Sequence, residues 1–413
     1  MKTKYVIILL TILIVSSVAA SAVYIHYFSH FDDANFAHGE VFFGVTFSLN
    51  TTSEAKQLID RVKNFTNLLV ITTWELCARN DNGTALNEVC EYAANAKLHF
   101  MVYFSFISQV AYPWHRGWLE NATKRFGEYF LGVYFYDEPG GKLIDTGEWR
   151  GTKPEFSNYS EVAEWYVNSV GYSPSMQILK YMNIRVFTAD YALYWFDYLG
   201  GYDCVFVEFG WNHSRIQHIA LGRGAANVQG KDWGVIITWT YNHPPYLEDG
   251  TRLYEDLVTA YKAGAKYIVV FNYPRINEYG ILTDEHFTAM KNFWNLINSP
   301  RPSVEKVSGQ VAYVLPKDYG WGMRSPDDKI WGIWPPDEAS SKIWENMNKL
   351  IAEYGLKLDI IYEDPRFNFK TKYTKIYLWN STIILDETRV FQLLVFHLHL
   401  PFQGFLGLRG FYL

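Results

Sequence analysis

The chain predicts an α/β fold, a (β/α)8 barrel followed by a second, smaller and incomplete α/β unit. Three observations lead there. From Glu40 onward, short apolar runs alternate with amphipathic helical stretches. The runs are continuous rather than alternating, as in strands buried on both faces. Eight such strand–helix units fit within about 260 residues, the length of one barrel.

The first run is 41–49, and a helix over 53–64 follows, capped by Thr51 or Thr52. The second run, 68–74, leads to a helix over 85–96, and the third, 99–107, to a helix around 118–130. The fourth is 131–136, followed by a loop and helices near 159–170 and 175–182. The fifth and sixth are 185–190 and 204–209, with a helix after His213. The seventh, 233–239, precedes a helix over 251–263. The eighth, 266–272, precedes a helix over 284–297 capped by Thr283 or Asp284. The barrel is thus expected over residues 40–298. Asn298-Ser-Pro-Arg-Pro-Ser303 is a linker signal. Beyond it, strands over 310–315, 358–362 and 375–379 and a helix over 340–354 make a partial α/β unit, 308–390. The stretch 391–413 is a nearly charge-free hydrophobic tail to which no function is assigned.

Composition narrows the function classes. The net charge is −6 with acids and bases interspersed, so no basic stripe marks a nucleic-acid partner. Aromatic residues make up 18% of the chain, more than a core of aliphatics would need, and Trp and Tyr faces suit stacking on sugar rings. Met-Lys-Thr-Lys precedes an apolar run from Tyr5 to Phe28, with Ala20-Ser21-Ala22 as a cleavage pattern. Residues 1–28 therefore read as a signal peptide or an uncleaved signal anchor. Either places the rest outside the cytoplasm, secreted or tethered to the membrane. Seven Asn-X-Ser/Thr sequons, at Asn50, Asn64, Asn82, Asn121, Asn158, Asn212 and Asn380, agree with an exported glycoprotein. Of three cysteines, Cys77 and Cys90 are placed to form a disulfide outside the cell, and Cys204 reads as a core thiol.

The chemistry is carried by strand ends. Leu131-Gly-Val-Tyr-Phe-Tyr-Asp-Glu-Pro-Gly-Gly141 ends a buried strand on two carboxylates and breaks at once. Charge there is costly unless it is used, and barrel active sites lie at the carboxyl ends of the strands. Glu138 is the candidate general acid, Glu208 the candidate nucleophile or base, and Asp137 a third catalytic candidate that orients or tunes them. Substrate-binding candidates are Glu75, Trp74, Tyr134, Asp190, Trp211, Trp239 and Asn272, all near run ends. Carboxylates with aromatics at one mouth suit glycosidic bond cleavage: one acid protonates the leaving oxygen, and a second carboxylate attacks or activates water. Strand-end carboxylates also cap helices or pair with arginines, and Tyr134 and Trp239 suit a core as well as a platform. No Gly-X-Ser-X-Gly elbow, His-Glu-X-X-His pair or phosphate loop occurs, and no cofactor or metal is expected.

On Tyr136-Asp137-Glu138-Pro139, Val207-Glu208-Phe209-Gly210-Trp211 and Thr238-Trp239, residues 40–300 resemble glycoside-hydrolase-like TIM barrels of secreted microbial proteins. From Val311-Ala-Tyr-Val-Leu-Pro316 to Asp359-Ile-Ile-Tyr362, the chain resembles the start of the glutamine-amidotransferase-like domain that follows the barrel in some β-galactosidase-type enzymes. There that domain is structural and often helps oligomerisation. The resemblance implies a glycan substrate and Glu138 as the fourth-strand acid. One departure stands out. The large retaining clan of such barrels carries its nucleophile at the end of the seventh strand, and here that strand ends Thr238-Trp239-Thr240-Tyr241. A fourth/sixth-strand pair as in α-galactosidase-like barrels, substrate-assisted cleavage as in chitinase-like ones, and a non-catalytic carbohydrate-binding or structural barrel all stay open.

Overall fold

Eight parallel strands close into a barrel in chain order, each hydrogen-bonded to the next and the eighth to the first. In the computed structural model the described residues are 41–78, 81–107, 110–152, 155–300 and 304–384. The strands are β1 (Phe42–Phe47), β2 (Leu68–Ile71), β3 (His99–Tyr103), β4 (Phe130–Tyr134), β5 (Val186–Asp190), β6 (Cys204–Phe209), β7 (Asp232–Ile237) and β8 (Tyr267–Val270). Helices follow them in turn: α1 (Thr52–Val62), α2 (Trp74–Cys77), α3 (Thr84–Asn95), α4 (Trp114–Phe126), α5 (Pro139–Thr146), α6 (Tyr159–Gly171), α7 (Pro174–Tyr181), α8 (Tyr194–Leu199), α9 (Arg215–Gln229), α10 (Gly250–Lys262) and α11 (Asp284–Ile297). Thr51 caps α1 in a reciprocal capping box with Glu54, and Thr283 is the cap residue of α11. The short helices α2, α5 and α8 go beyond the sequence reading, because four to eight residues carry too little periodicity to announce a helix.

The barrel interior explains much of the aromatic content. Phe42, Tyr134, Phe187, Phe206 and Tyr267 form one buried cluster with Leu68, Val70, Met101, Cys204 and Ile236, drawn from all eight strands. Phe42 stacks on Tyr267 with ring centroids 5.0 Å apart. Alternate residues of a strand face opposite sides, so this cluster fixes which parity points inward. On β6 it is Cys204 and Phe206, and hence Glu208. On β5 it is Phe187 and Ala189, so Thr188 and Asp190 face the helices. Gly44 lets β1 and β2 close: a Cβ there would lie 1.7 Å from the Leu68 carbonyl oxygen.

A second sheet runs β10 (Leu358–Tyr362), β9 (Val311–Leu315), β11 (Lys375–Leu378), β12 (Ser381–Ile384), the first three parallel and β12 antiparallel. Helix α12 (Glu338–Tyr354) connects β9 to β10. Barrel and sheet lie in one compact unit. Their junction is α9, where Gly224 admits the Ile360 backbone: a Cβ there would meet its oxygen at 2.7 Å. Beside it Arg223, 2% exposed, donates to Asp359 at 2.7 Å and to the Leu356, Leu358 and Val307 carbonyls. The loop between β9 and α12 reaches along the barrel wall. Trp331 packs on Phe196 at 4.6 Å, and Arg324 pairs with Asp145 on α5 at 2.6 Å.

Cys77 and Cys90 are free and buried, which corrects the expected disulfide. Cys77 ends α2 with its thiol on the Ile71 carbonyl, and Cys90 faces the core from α3. The expected signal segment and the hydrophobic tail lie outside the described residues. Among the described residues, no helix is long and apolar enough to cross a membrane. All seven sequon asparagines are exposed.

Candidate active site

The corner after β4 is built by the strand beside it. Glu138 donates its N–H to the Ala189 carbonyl (3.0 Å), and Thr188 donates its hydroxyl to the Tyr136 carbonyl (2.6 Å). Asp190 then receives the N–H groups of Gly140, Gly141 (2.8 Å), Tyr191 (2.7 Å) and Ala192 (3.1 Å) on one carboxylate. It caps the start of α5 from outside. The Gly140-Gly141 pair is required by this packing: a Cβ on Gly141 would lie 2.2 Å from the Tyr191 ring. Tyr136 and Glu138 hold left-handed backbone, φ +49° and +52°, a conformation non-glycine residues keep only where their surroundings dictate it.

Five groups meet at this corner. The Tyr134 hydroxyl, rising from the barrel interior, donates to Asp137. Lys142, one turn into α5, lies 3.4 Å from Glu138 and 3.7 Å from Asp137, and donates to the Asp137 carbonyl at 2.7 Å. Glu208 comes from the inward face of β6. It is 8% exposed, and among the described residues its carboxyl makes no hydrogen bond or ion pair.

Electrostatics separates the two glutamates. Burial, then the Asp137 charge, pushes the Glu138 carboxyl up to about 7, while Lys142 pulls against them. Burial pushes Glu208 well above the carboxylate range, reinforced by Glu138, Asp137 and Asp190. Glu138 has a cation at 3.4 Å, a side chain 30% exposed and the amino end of α5 beside it, all of which favour the anion. Glu208 forms no ion pair among the described residues, and Lys142 opposes its upward shift only as the smallest of the contributions. These surroundings favour the anion at Glu138 more than at Glu208.

A cavity of about 360 Å³ opens beside the corner at the carboxyl ends of β1, β2, β3, β4, β7 and β8. Tyr103, Tyr134, Ile236 and Phe271 floor it; Trp74, Glu75, Asp137 and Tyr273 stand at its rim. One wall is a hydroxyl chain, with Thr46 3.3 Å from Ser48 and Ser48 2.6 Å from Thr72. Trp74 is 51% exposed and meets Tyr112 edge-on. Trp239 is half-buried, stacks on Tyr273, and donates its indole N–H to the Tyr273 carbonyl. Trp211 sits exposed on the loop after β6, held by its N–H on the Trp239 carbonyl at 2.7 Å. Of the corner's carboxylates Asp137 lines this cavity, and Glu138 and Glu208 do not.

The structure thus assembles Asp137, Glu138, Glu208, Tyr134, Trp74 and Glu75, with Trp211 and Trp239 on the mouth loops. Two expectations are corrected. Asp190 cannot touch a substrate, because its parity turns it away from the interior and four backbone N–H groups enclose it. Asn272 is fully buried: its carbonyl accepts the Ile281 N–H at 2.9 Å and closes the loop after β8. Lys142, Tyr103 and Tyr273 were not singled out from the sequence. Only Lys142 carried a signal, its spacing of four from Glu138 across a helix start. Among the described residues, no cluster of His, Cys, Asp or Glu is arranged to hold a metal ion.

No family model matches the sequence. No curated protein matches it either. Solved structures share the fold. A GH5_18 protein from Streptomyces cattleya, in complex with Manβ1-4GlcNAc, superposes with a TM-score of 0.50 at 12% identity, covering 82% of this chain and 99% of that one. An exo-β-1,4-mannosidase from Opitutaceae bacterium strain TAV5 superposes with a TM-score of 0.51 at 11% identity, covering 83% and 73%. The barrel of this chain is thus one that glycoside hydrolases use.

Proposed function

We propose that this protein is a glycoside hydrolase acting outside the cytoplasm, with Glu208 as proton donor and Glu138 as the ionised carboxylate. The observation that carries the reading is the pair itself: two carboxyl groups of unequal surroundings, Glu138 beside Lys142 and Glu208 buried on the inward face of its strand, at the mouth of a barrel with an aromatic-walled cavity. Glu208 protonates the glycosidic oxygen as the bond to the anomeric carbon breaks. Glu138 supplies the electron pair to that carbon, directly or through a water whose proton it takes. Asp137 and Lys142 tune Glu138, and Asp190 positions it. Trp74, Tyr273 and Trp211 offer sugar-stacking faces. The names of the two structural relatives make β-linked, mannose-containing oligosaccharides the first substrates to try. The basic-then-apolar N-terminus and seven exposed sequon asparagines support export, with glycosylation and a membrane tether as options. The sheet carrying β9 is proposed as a structural unit of the amidotransferase-like kind.

One observation favours a second reading, a barrel that binds glycans without cutting them. β7 ends without a carboxylate, and both acids of the loop after it are taken. Glu248 is fully buried against Arg215 and Arg252, each at 3.3 Å, and Asp249 caps α10. The test is a turnover screen on a glycan panel with wild type and Glu138→Gln. Hydrolysis by the wild type, abolished in the variant while glycan binding persists, supports the enzyme. Equal inertness of both with retained binding supports the binding barrel.

A further inference from the structure

The charge a ligand may carry can be read from how the cations at the mouth are already used. Among the described residues, the cavity is lined by two carboxylates, Glu75 and Asp137, and by no Lys, Arg or His. The described basic residues around it are engaged elsewhere. Lys142 is held between Asp137 and Glu138; Arg275 pairs with Glu54 at 2.6 Å. Arg215 pairs with Asp256 at 2.9 Å and Glu248 at 3.3 Å, and Arg324 with Asp145 and Asp328. Arg150 has no acid partner among the described residues, but it stacks over Tyr136 at 4.6 Å and does not line the cavity. What the wall offers instead is neutral: the hydroxyls of Thr46, Ser48 and Thr72 and the faces of Trp74 and Tyr273.

We infer that the cavity accepts a sugar residue that is uncharged or bears a protonated amine, and rejects one bearing a carboxylate, sulfate or phosphate. The inference rests on the glycan reading above and adds a substrate class to it. An anionic sugar would be stripped of water beside Glu75 and Asp137 with no cation to replace its hydration. Neutral hydroxyls find donors and acceptors in the hydroxyl chain, and apolar ring faces find Trp74 and Tyr273.

Trp74 is half-exposed in the lining, so its fluorescence reports on occupancy. The titration uses three disaccharides that share one skeleton, the terminal hexose carrying a hydroxymethyl group, a carboxylate in its place, or a 2-amino group. The neutral and amine-bearing forms are expected to bind comparably. The carboxylate form is expected about tenfold weaker or more at low ionic strength. That gap should shrink in about 0.5 M salt and narrow in Glu75→Gln, because its cause is charge. A carboxylate form that binds as tightly as the neutral one overturns the inference and leaves the glycan reading standing. So does a gap that ignores both salt and Glu75→Gln, which would be steric. Silence of all three ligands and of a wider neutral glycan panel defeats the glycan reading itself, and this inference with it.

Discussion

Glu208→Gln distinguishes the two ways of sharing one proton between Glu138 and Glu208. On the proposed mechanism the wild type requires Glu138 ionised and Glu208 protonated, and the pair titrates as a unit. As pH falls through about 7, Glu138 takes up the pair's second proton and kcat/KM should fall tenfold per unit. As pH rises past the higher constant, belonging mainly to Glu208, the donor is lost and the rate falls again. Glu208→Gln removes the donor alone. On an unactivated glycan, loss of general acid catalysis should cost about 10²–10⁴-fold. On an aryl glycoside whose leaving group departs as a stable anion, the loss should be under about tenfold, since that bond needs little proton help. The alkaline limb should vanish while the acid limb persists. Glu138→Gln should be inert on both substrates. The assay is steady-state kinetics on the two substrates from pH 5 to 9. The role assignment is refuted if Glu138→Gln is the variant rescued by the aryl glycoside, and the pair is not catalytic if both variants keep wild-type rates.

Lys142→Met removes the cation 3.4 Å from Glu138, so the acid limb of the same profile should move up from about 7 by about one unit; no movement would show that Lys142 does not tune the pair. Gly141→Ala drives a methyl into the Tyr191 ring, itself tied to Asp145 at 2.7 Å, and should cost roughly 1–3 kcal/mol in chemical denaturation, with activity falling as the Glu138 corner shifts. Arg223→Met strands Asp359 without a cation in the junction between barrel and sheet; urea unfolding should register about 3–5 kcal/mol, and a loss under about 1 would mean the junction is not a shared core. Above about pH 7.5 the buried His115 and His218, whose folded values are depressed, no longer titrate in either state. There the raised acids Glu208 and Glu248, the latter at about 8, still hold protons that the unfolded chain has released. Stability should therefore fall as pH rises from about 7.5, and Glu248→Gln should remove up to roughly 1.4 kcal/mol per pH unit of that slope.

The barrel was legible because its strands are buried on both faces. A run such as Cys204–Phe209 announces a strand by being wholly apolar up to its final carboxylate. The same continuity hid the parity. In Val186–Asp190 nothing says which residues face inward, so Asp190 and Glu208 looked alike as run-end acids. Only the interior cluster, with Phe187 and Ala189 on one strand and Cys204 and Phe206 on the next, separates a positioning residue from a candidate catalyst. Asn272 failed for a similar reason, since its partner, the Ile281 N–H, belongs to a loop whose path the sequence does not set. The cysteine spacing was silent on geometry: Cys77 and Cys90 sit on different helices and each is buried as a thiol. Glu138 was found because Pro139-Gly140-Gly141 breaks the chain immediately after it.

Left-handed, non-glycine backbone recurs on the loops that follow β4 to β7, at Tyr136, Glu138, Arg150, Leu193, Trp211 and Tyr246. Each costs of order 1 kcal/mol or more and persists only where neighbours over-determine it. The neighbours here are specific. Asp190 and Thr188 fix the Glu138 corner from β5. Arg215 fixes the loop after β6 by donating to the carbonyls of Gly210, Trp211 and His213 while Asp256 and Glu248 hold its guanidinium. The second sheet supplies the third brace. Its loop places Arg324 on Asp145, sets the Gly332 backbone against Leu143 of α5, and takes Gln217 of α9 on the Met323 carbonyl. Helix α5 is thereby held on both sides, by β5 within the barrel and by the sheet outside it. A four-stranded sheet at this position need carry no chemistry to matter for the chemistry. It stiffens the element that begins at Glu138, and the Arg223–Asp359 pair that seats it is the place where that stiffness can be withdrawn without touching the mouth.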